Sequence, residues 1–185
     1  MKKLLPLVLF VASLPLLAAE NSIELDPAKT TIAFSVGSTL HTVHGTFKLK
    51  RGTMKFDSAT GKASGEIVVD VASGESGGGL RDGRMHKEIL ESPKYPEAVF
   101  TPDHITGELA PSGASQLDVH GMFQIHGASH EMTLHFMAEN KGSEVATSTT
   151  FAIPYLQWGM KNPGNFMLKV NDKVEMTIQA TAKFQ

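Results

Sequence analysis

Apolar and polar residues alternate with a period of two along most of this chain, and that pattern excludes most architectures. It is clearest near the C-terminus, where Val174, Met176, Ile178, Ala180, Ala182 and Phe184 interleave with Glu175, Thr177, Gln179, Thr181 and Lys183. Side chains on a strand point alternately to opposite faces, so such a segment has one buried and one solvated face. Leu117, Val119, Gly121, Phe123 and Ile125 repeat the pattern, as do Met132, Leu134 and Phe136. Ile32, Phe34 and Val36 form an earlier set, and Ile67, Val69 and Val71 another. Roughly eight or nine such segments are separated by Gly, Asn, Asp, Pro and Ser. Neither a linker nor a repeat of fixed period divides them. An antiparallel meander with one apolar face must cover that face, by stacking two sheets or by closing on itself. Gly45, Gly65 and Gly121 lie inside strand segments, where they ease the bending that closure demands. The expected fold is all-β, an antiparallel barrel of about eight strands.

Parity also suggests two hairpins. A two-residue loop at Arg51-Gly52 sets Leu49 opposite Met54 and Phe47 opposite Phe56, with all four on one face. A loop at Gly127-Ala128 sets Ile125 opposite His130 and Phe123 opposite Met132. One stretch breaks the alternation. Leu80 to Glu91 is rich in helix formers and stops before Pro93, with Leu80, Met85 and Ile89 as a short apolar stripe. Asp82 lies near its start, where a negative charge suits the helix dipole. The expectation is a short helical insertion packed on a barrel opening or flank.

The N-terminus has a different character. Lys2-Lys3 precede an apolar run from Leu4 to Leu17, closed by Ala18-Ala19 before Glu20. These are the charged, apolar and small-residue regions of a secretory signal, and the run is shorter than the roughly 20 residues a membrane helix needs. The expectation is a signal peptide at residues 1–19, one barrel domain at 20–185, a periplasmic location and no stable membrane span after cleavage. The chain contains no cysteine, which removes disulfides, thiolate metal sites and thiol nucleophiles. A formal charge of −2 gives no basic field for nucleic acid.

Three kinds of chemistry are open to these residues. Phe34, Phe47, Phe56, Phe100, Phe123, Phe136 and Phe151 face inward by parity, with Met54, Met132 and Met176. Such side chains either fill a barrel or line an adaptable apolar cavity, and eight strands is about the size at which both occur. Gly74-Glu75-Ser76-Gly77-Gly78 fits the G-x-S-x-G pattern of a serine hydrolase with Ser76 as nucleophile, although no motif nominates its His–Asp partners. The second hairpin places His120 opposite His135 on the outer face, half of a metal site that would need a further ligand. A purely structural stress protein is the remaining class.

From Asp26 to its C-terminus the chain resembles the YceI-like proteins, which are exported, lipocalin-like barrels that bind polyisoprenoids. The first block of the resemblance is Leu25-Asp26, Ile32-Ala33-Phe34-Ser35-Val36, Gly45-Thr46-Phe47 and Gly52-Thr53-Met54-Lys55-Phe56-Asp57. The second is Leu80-Arg81-Asp82, Ile89-Leu90, Tyr95-Pro96 and Phe100. The third runs unbroken from Val119 to Met132, and the last joins Trp158-Gly159 to Asp172-Lys173-Val174-Glu175-Met176. Departures cluster around the insertion. Gly74 to Gly79 replaces the family's Thr-Gly, and Ile89-Leu90 replaces an aromatic pair.

The resemblance implies a binding protein without catalytic residues, metal or cofactor, holding an isoprenoid quinone or polyprenyl lipid for sequestration or transport. The residues it points to are Phe34, Val36, Phe47, Met54 and Phe56 from the first half of the barrel, with Val69 and Phe100. Val119, Phe123, Leu134, Phe136, Phe151, Trp158, Met176 and Ile178 complete the set. The helix at 80–91 would cap the opening, and a homodimer is compatible with the resemblance.

Overall fold

The computed structural model describes residues 20–184, so the signal segment expected at 1–19 lies outside the described residues. Nine strands form one antiparallel sheet. They are β1 (Glu20–Leu25), β2 (Thr31–Gly37), β3 (Thr42–Asp57), β4 (Ala63–Glu75), β5 (Glu97–Thr106), β6 (Gly113–Ile125), β7 (Ala128–Asn140), β8 (Glu144–Ile153) and β9 (Val174–Phe184). Consecutive strands pair from β3 round to β9. The remaining gap is filled by β1 and β2 placed end to end. β1 pairs with the second half of β3 and the end of β9, while β2 pairs with the first half of β3 and the start of β9. Nine strands therefore make eight staves, and the sheet closes as an eight-stranded barrel with no free edge.

A 3-10 turn, Pro27–Lys29, breaks the shared stave. Asp26 caps it by accepting a hydrogen bond from the Ala28 amide, and Pro27 at its first position has no amide to leave unsatisfied.

The expected hairpin at Arg51-Gly52 does not exist. β3 runs straight through these residues, and the sheet takes up the change of parity as a bulge, with a register shift against β4 between Leu49 and Arg51. Lys50 and Arg51 are consecutive exposed residues, after which buried positions fall on even numbers instead of odd. A bulge adds one residue to one strand and moves every later side chain to the other face, so it leaves the same trace in parity as a tight turn. Phe47, Leu49, Met54 and Phe56 do share the inner face, by this route. Gly52 leaves room for Leu25 at the end of β1, since a Cβ there would lie 2.6 Å from Leu25 Cδ1 and that side chain would have to shift.

The second hairpin exists with a different turn. His126 and Gly127 form the two-residue loop, both with positive φ (51° and 77°), as a primed turn demands. Ile125 therefore opposes Ala128, Phe123 opposes His130 and Gly121 opposes Met132. The register has moved by two residues, which preserves the faces and changes every partner. The ring of His126, the non-glycine member of this left-handed pair, packs against the Tyr95 ring at 4.7 Å.

The insertion is helical as expected. α1 (Gly79–Arg84) continues into a π-turn, Met85–Ile89. Met85, Ile89 and Leu90 pack on the barrel core, whereas Leu80 stands 93% exposed. The expected stripe thus loses its first member, because α1 begins beyond the barrel rim.

Candidate functional site

The inner face of the barrel does not close into a solid core. It surrounds two chambers of about 480 and 490 Å³, each within the size range of small-molecule sites. Val69, Phe123, Phe151 and Ile178 line both chambers and form the waist between them. The first chamber lies at the end covered by α1 and the π-turn; Phe34, Val36, Phe47 and Met176 are in its wall. The second lies at the other end, walled by Met54, Phe56, Phe100, Val119, Leu134 and Phe136. Phe34 and Phe47 hold each other, with ring centroids 5.2 Å apart.

Trp158 lines neither chamber. Its ring stacks on His130 at 3.9 Å and lies 6.0 Å from Phe123, so it supports a waist residue from behind. Several wall residues escaped the sequence reading. Ile89 and Leu90 of the insertion line the first chamber, with Tyr155, Met160, Leu168 and Val170 from the irregular strap between β8 and β9. That strap has no alternation to reveal it, although Tyr155 and Met160 are fully part of the buried core. Tyr155 fixes the strap by donating its hydroxyl to the Asn171 carbonyl at 2.8 Å, and burial raises its pKa above the ordinary tyrosine value. The polar content of the two chambers differs. Ser38, His41, Ser76, Arg81 and Arg84 are the polar residues of the first chamber and include all its charge. Asn21, Ser58, Glu108 and Asn140 contribute polar groups to the second.

Ser76 is committed to the architecture of the insertion. Its hydroxyl and amide both donate to Asp82 Oδ1, while Arg81 Nε donates to the hydroxyl and Arg81 Nη2 to the Ser76 carbonyl, each at 2.7 Å. These bonds from Ser76 hold the Asp82 carboxyl below the usual carboxylate range. The nearby His86 is engaged with Ser92 and the Gly74 carbonyl. The partners of this serine are a carboxylate and a guanidinium, and among the described residues no imidazole hydrogen-bonds to it to serve as base.

The true hairpin register separates the two histidines expected to face each other. His120 opposes Thr133, and His135 opposes Asp118. His120 is instead held between Asp103 at 2.6 Å and Glu131 at 3.0 Å, and His135 by Asp118 at 2.6 Å. Among the described residues no group of three or more His, Asp or Glu side chains is arranged to hold a metal ion.

Two imidazoles should titrate on opposite sides of the ordinary histidine value. Asp103, and then Glu131, raise the pKa of His120, whereas burial lowers that of His130 beneath Trp158. The His120 contribution to stability is complete below the unfolded-state value and lost as pH rises through the folded value. That of His130 has the reverse sign and is lost as pH falls toward its folded value. Titration by NMR should resolve the two, and Asp103→Asn should bring His120 back toward about 6.5. Equal midpoints in the native protein would refute the assignment.

A model of the YceI-like domain matches residues 24–182. The chain belongs to the YceI-like family. A UPF0312 protein of Pseudomonas savastanoi pv. phaseolicola is 30% identical over 130 residues, covering 66% of each chain. This chain therefore spans just under two thirds of the length of that relative. Among solved structures, BcnA of Burkholderia cenocepacia superposes with a TM-score of 0.69 at 19% identity, covering 85% of this chain and 98% of that one. A polyisoprenoid binding domain from Saccharophagus degradans superposes with a TM-score of 0.70 at 15% identity, covering 87% and 97%. At these identities the superpositions establish a shared YceI-like barrel. Within it, Ile89 and Leu90 line the first chamber at the place where the family resemblance leads one to expect aromatic residues.

Proposed function

We propose that this protein is an exported carrier or store for a long isoprenoid, an isoprenoid quinone or a polyprenyl lipid, which it holds in the barrel without covalent chemistry. The observation that carries this reading is the pair of apolar chambers meeting at a shared waist. A linear apolar chain is the ligand shape that such a bore suits. Burying one CH₂ contributes about 0.8 kcal/mol, so each five-carbon prenyl unit adds about 3–4 kcal/mol before ordering costs. A few units give tight binding with little help from polar groups. The more polar second chamber is the better place for a quinone ring or other head group. The polyisoprenoid binding domain of Saccharophagus degradans, with the same fold, supports the choice of ligand class. The Lys2-Lys3 and Leu4–Leu17 pattern supports export to the periplasm.

The test is mass spectrometry of an organic extract from protein purified out of the periplasmic fraction. A stoichiometric isoprenoid is expected, and Phe136→Glu, which places a charge in the second chamber, should lose it while keeping the native circular dichroism. A clean extract, with no uptake of polyprenols or quinones when these are offered, would overturn the proposal.

A further inference from the structure

Four of the most exposed large apolar side chains surround the mouth of the first chamber. Leu40 is 76% exposed, Leu80 93%, Phe166 100% and Met167 86%. They do not belong to slack loops. Leu40 sits on a turn in which the Ser38 amide donates to the His41 carbonyl at 3.0 Å and the Ser38 hydroxyl accepts from the Leu40 and His41 amides. Phe166 and Met167 sit on a second turn, closed by the Asn165 amide on the Leu168 carbonyl at 2.8 Å and by Asn165 Oδ1, which accepts from the Met167 and Leu168 amides. The two turns are joined, since the Thr39 amide donates to the Lys169 carbonyl at 3.0 Å and Ser38 bridges Val170. Leu80, with Ser38, His41, Leu168 and Val170, borders the same opening. The fold thus holds apolar side chains outward around the opening where α1, the strap and the β2–β3 turn meet, at a cost in exposed apolar surface that a freely soluble rim would avoid.

Charge supplies the complement. The strap from Leu156 to Lys173 carries Lys161, Lys169 and Lys173 against a single acidic residue, Asp172. Lys161 and Lys169 are exposed, flank the wall residues Met160, Leu168 and Val170, and make no ion pair among the described residues. Apolar tips with unpaired cations beside them are the pattern of a surface that sits in the interface of an anionic bilayer. A second copy of the chain fits less well. A two-fold contact would set these lysines against their own copies, and isolated tips offer no continuous self-complementary face.

We propose that the mouth of the first chamber docks on an anionic phospholipid surface, with Leu40, Leu80, Phe166 and Met167 inserting among the acyl chains and Lys161 and Lys169 against the phosphates. This choice of partner rests on the isoprenoid reading, because a membrane is where such a ligand resides. Docking then brings the apolar bore to the bilayer without passing the ligand through water.

The experiment is sedimentation with vesicles, using the barrel without residues 1–19, which closes on itself through hydrogen-bonded staves. Vesicles of phosphatidylcholine with one part phosphatidylglycerol in a few, and of phosphatidylcholine alone, serve as probes. Binding to the anionic vesicles should exceed binding to the neutral ones and fall with added salt. Phe166→Ser with Met167→Ser should weaken binding to both about tenfold. Lys161→Glu with Lys169→Glu should weaken only the anionic case, again about tenfold. All four substituted positions are exposed, so native circular dichroism is expected throughout. Equal sedimentation of all variants, or none by the native protein, would overturn the docking surface. Loss of a concentration-dependent dimer in Phe166→Ser, without any effect on vesicles, would also overturn it and assign the rim to a second copy. Isoprenoid content, measured on the same samples, keeps the two readings apart. Ligand without vesicle binding defeats the docking alone, and vesicle binding without ligand defeats the isoprenoid reading alone.

Discussion

Val69→Phe should leave the barrel folded and, on the proposed isoprenoid reading, cut its affinity for a long prenyl chain by about a thousandfold. Val69 faces the waist with Phe123, Phe151 and Ile178, where both chambers meet. It is a β4 residue, paired with Leu49 on β3 and Ala98 on β5, so the backbone that carries it is held on both sides. Val69 is partly buried and borders both chambers, so the larger ring has chamber volume to enter and the overpacking cost is smaller than in a solid interior. A ligand that threads the waist loses every carbon beyond it. Two prenyl units contribute about 6–8 kcal/mol gross, and with ordering costs set against that, a net loss near 4 kcal/mol corresponds to about a thousandfold. A short prenyl chain that fits one chamber should bind as before. Competition binding with a short and a long polyprenol, together with thermal denaturation, separates the cases. Equal losses for both lengths would mean that the waist shapes the whole site, and an unchanged long-chain affinity would mean that the ligand never crosses it.

The inner face was legible because the period of a strand is fixed by stereochemistry. Phe34, Phe123, Leu134 and Met176 could be assigned to the interior from alternation alone, without knowledge of any partner. Register was less legible. At Arg51-Gly52 the parity change was real, but a bulge and a two-residue turn shift parity alike, and only the length of β3 distinguishes them. The same device recurs in β5, where Pro102 is fully buried and Asp103 and His104 are both exposed, with a register shift against β6. At the second hairpin Gly127 is a turn residue as its identity suggests, yet its companion is His126, which takes a positive φ that a non-glycine residue rarely adopts and that identity does not signal. The misplaced turn is also why His120 and His135 were set opposite each other.

The site was legible in part for a related reason. Alternation says which residues face inward and is silent on whether they meet. Whether Phe123 and Phe151 touch across the barrel or leave a passage depends on strand number and stagger, which no single segment encodes. The strap residues Tyr155, Met160 and Leu168 lay beyond reach because irregular backbone carries no period. Trp158 was placed at the ligand by resemblance, whereas the structure puts it against His130. The exposed tips Leu40 and Phe166 had no signal at all, since a lone apolar residue in a turn is ordinary in a sequence and significant only when its neighbours in space are known.

Gly121→Val should have a large effect on stability, a loss of at least about 3 kcal/mol. Gly121 is buried on β6 opposite Pro102, and a Cβ there would lie 2.3 Å from the Thr101 carbonyl oxygen and 2.8 Å from Pro102 Cα. Both obstacles are backbone atoms of the bulged strand, so no rotamer change relieves the contact, and β5 must move away from β6. In a domain of this size each kcal/mol lowers Tm by about 2–4 °C, which gives a drop near 10 °C by differential scanning calorimetry. Gly79→Ala is the matching control, because a Cβ there meets nothing within 4 Å and the residue opens α1. Its expected change is a gain of no more than about 1 kcal/mol from helix propensity. A native Tm for Gly121→Val would mean that β5 can shift its bulge without cost. The parity switch at Asp103-His104 would then be set by Pro102, which cannot donate to the ladder, and not by the close approach of β6.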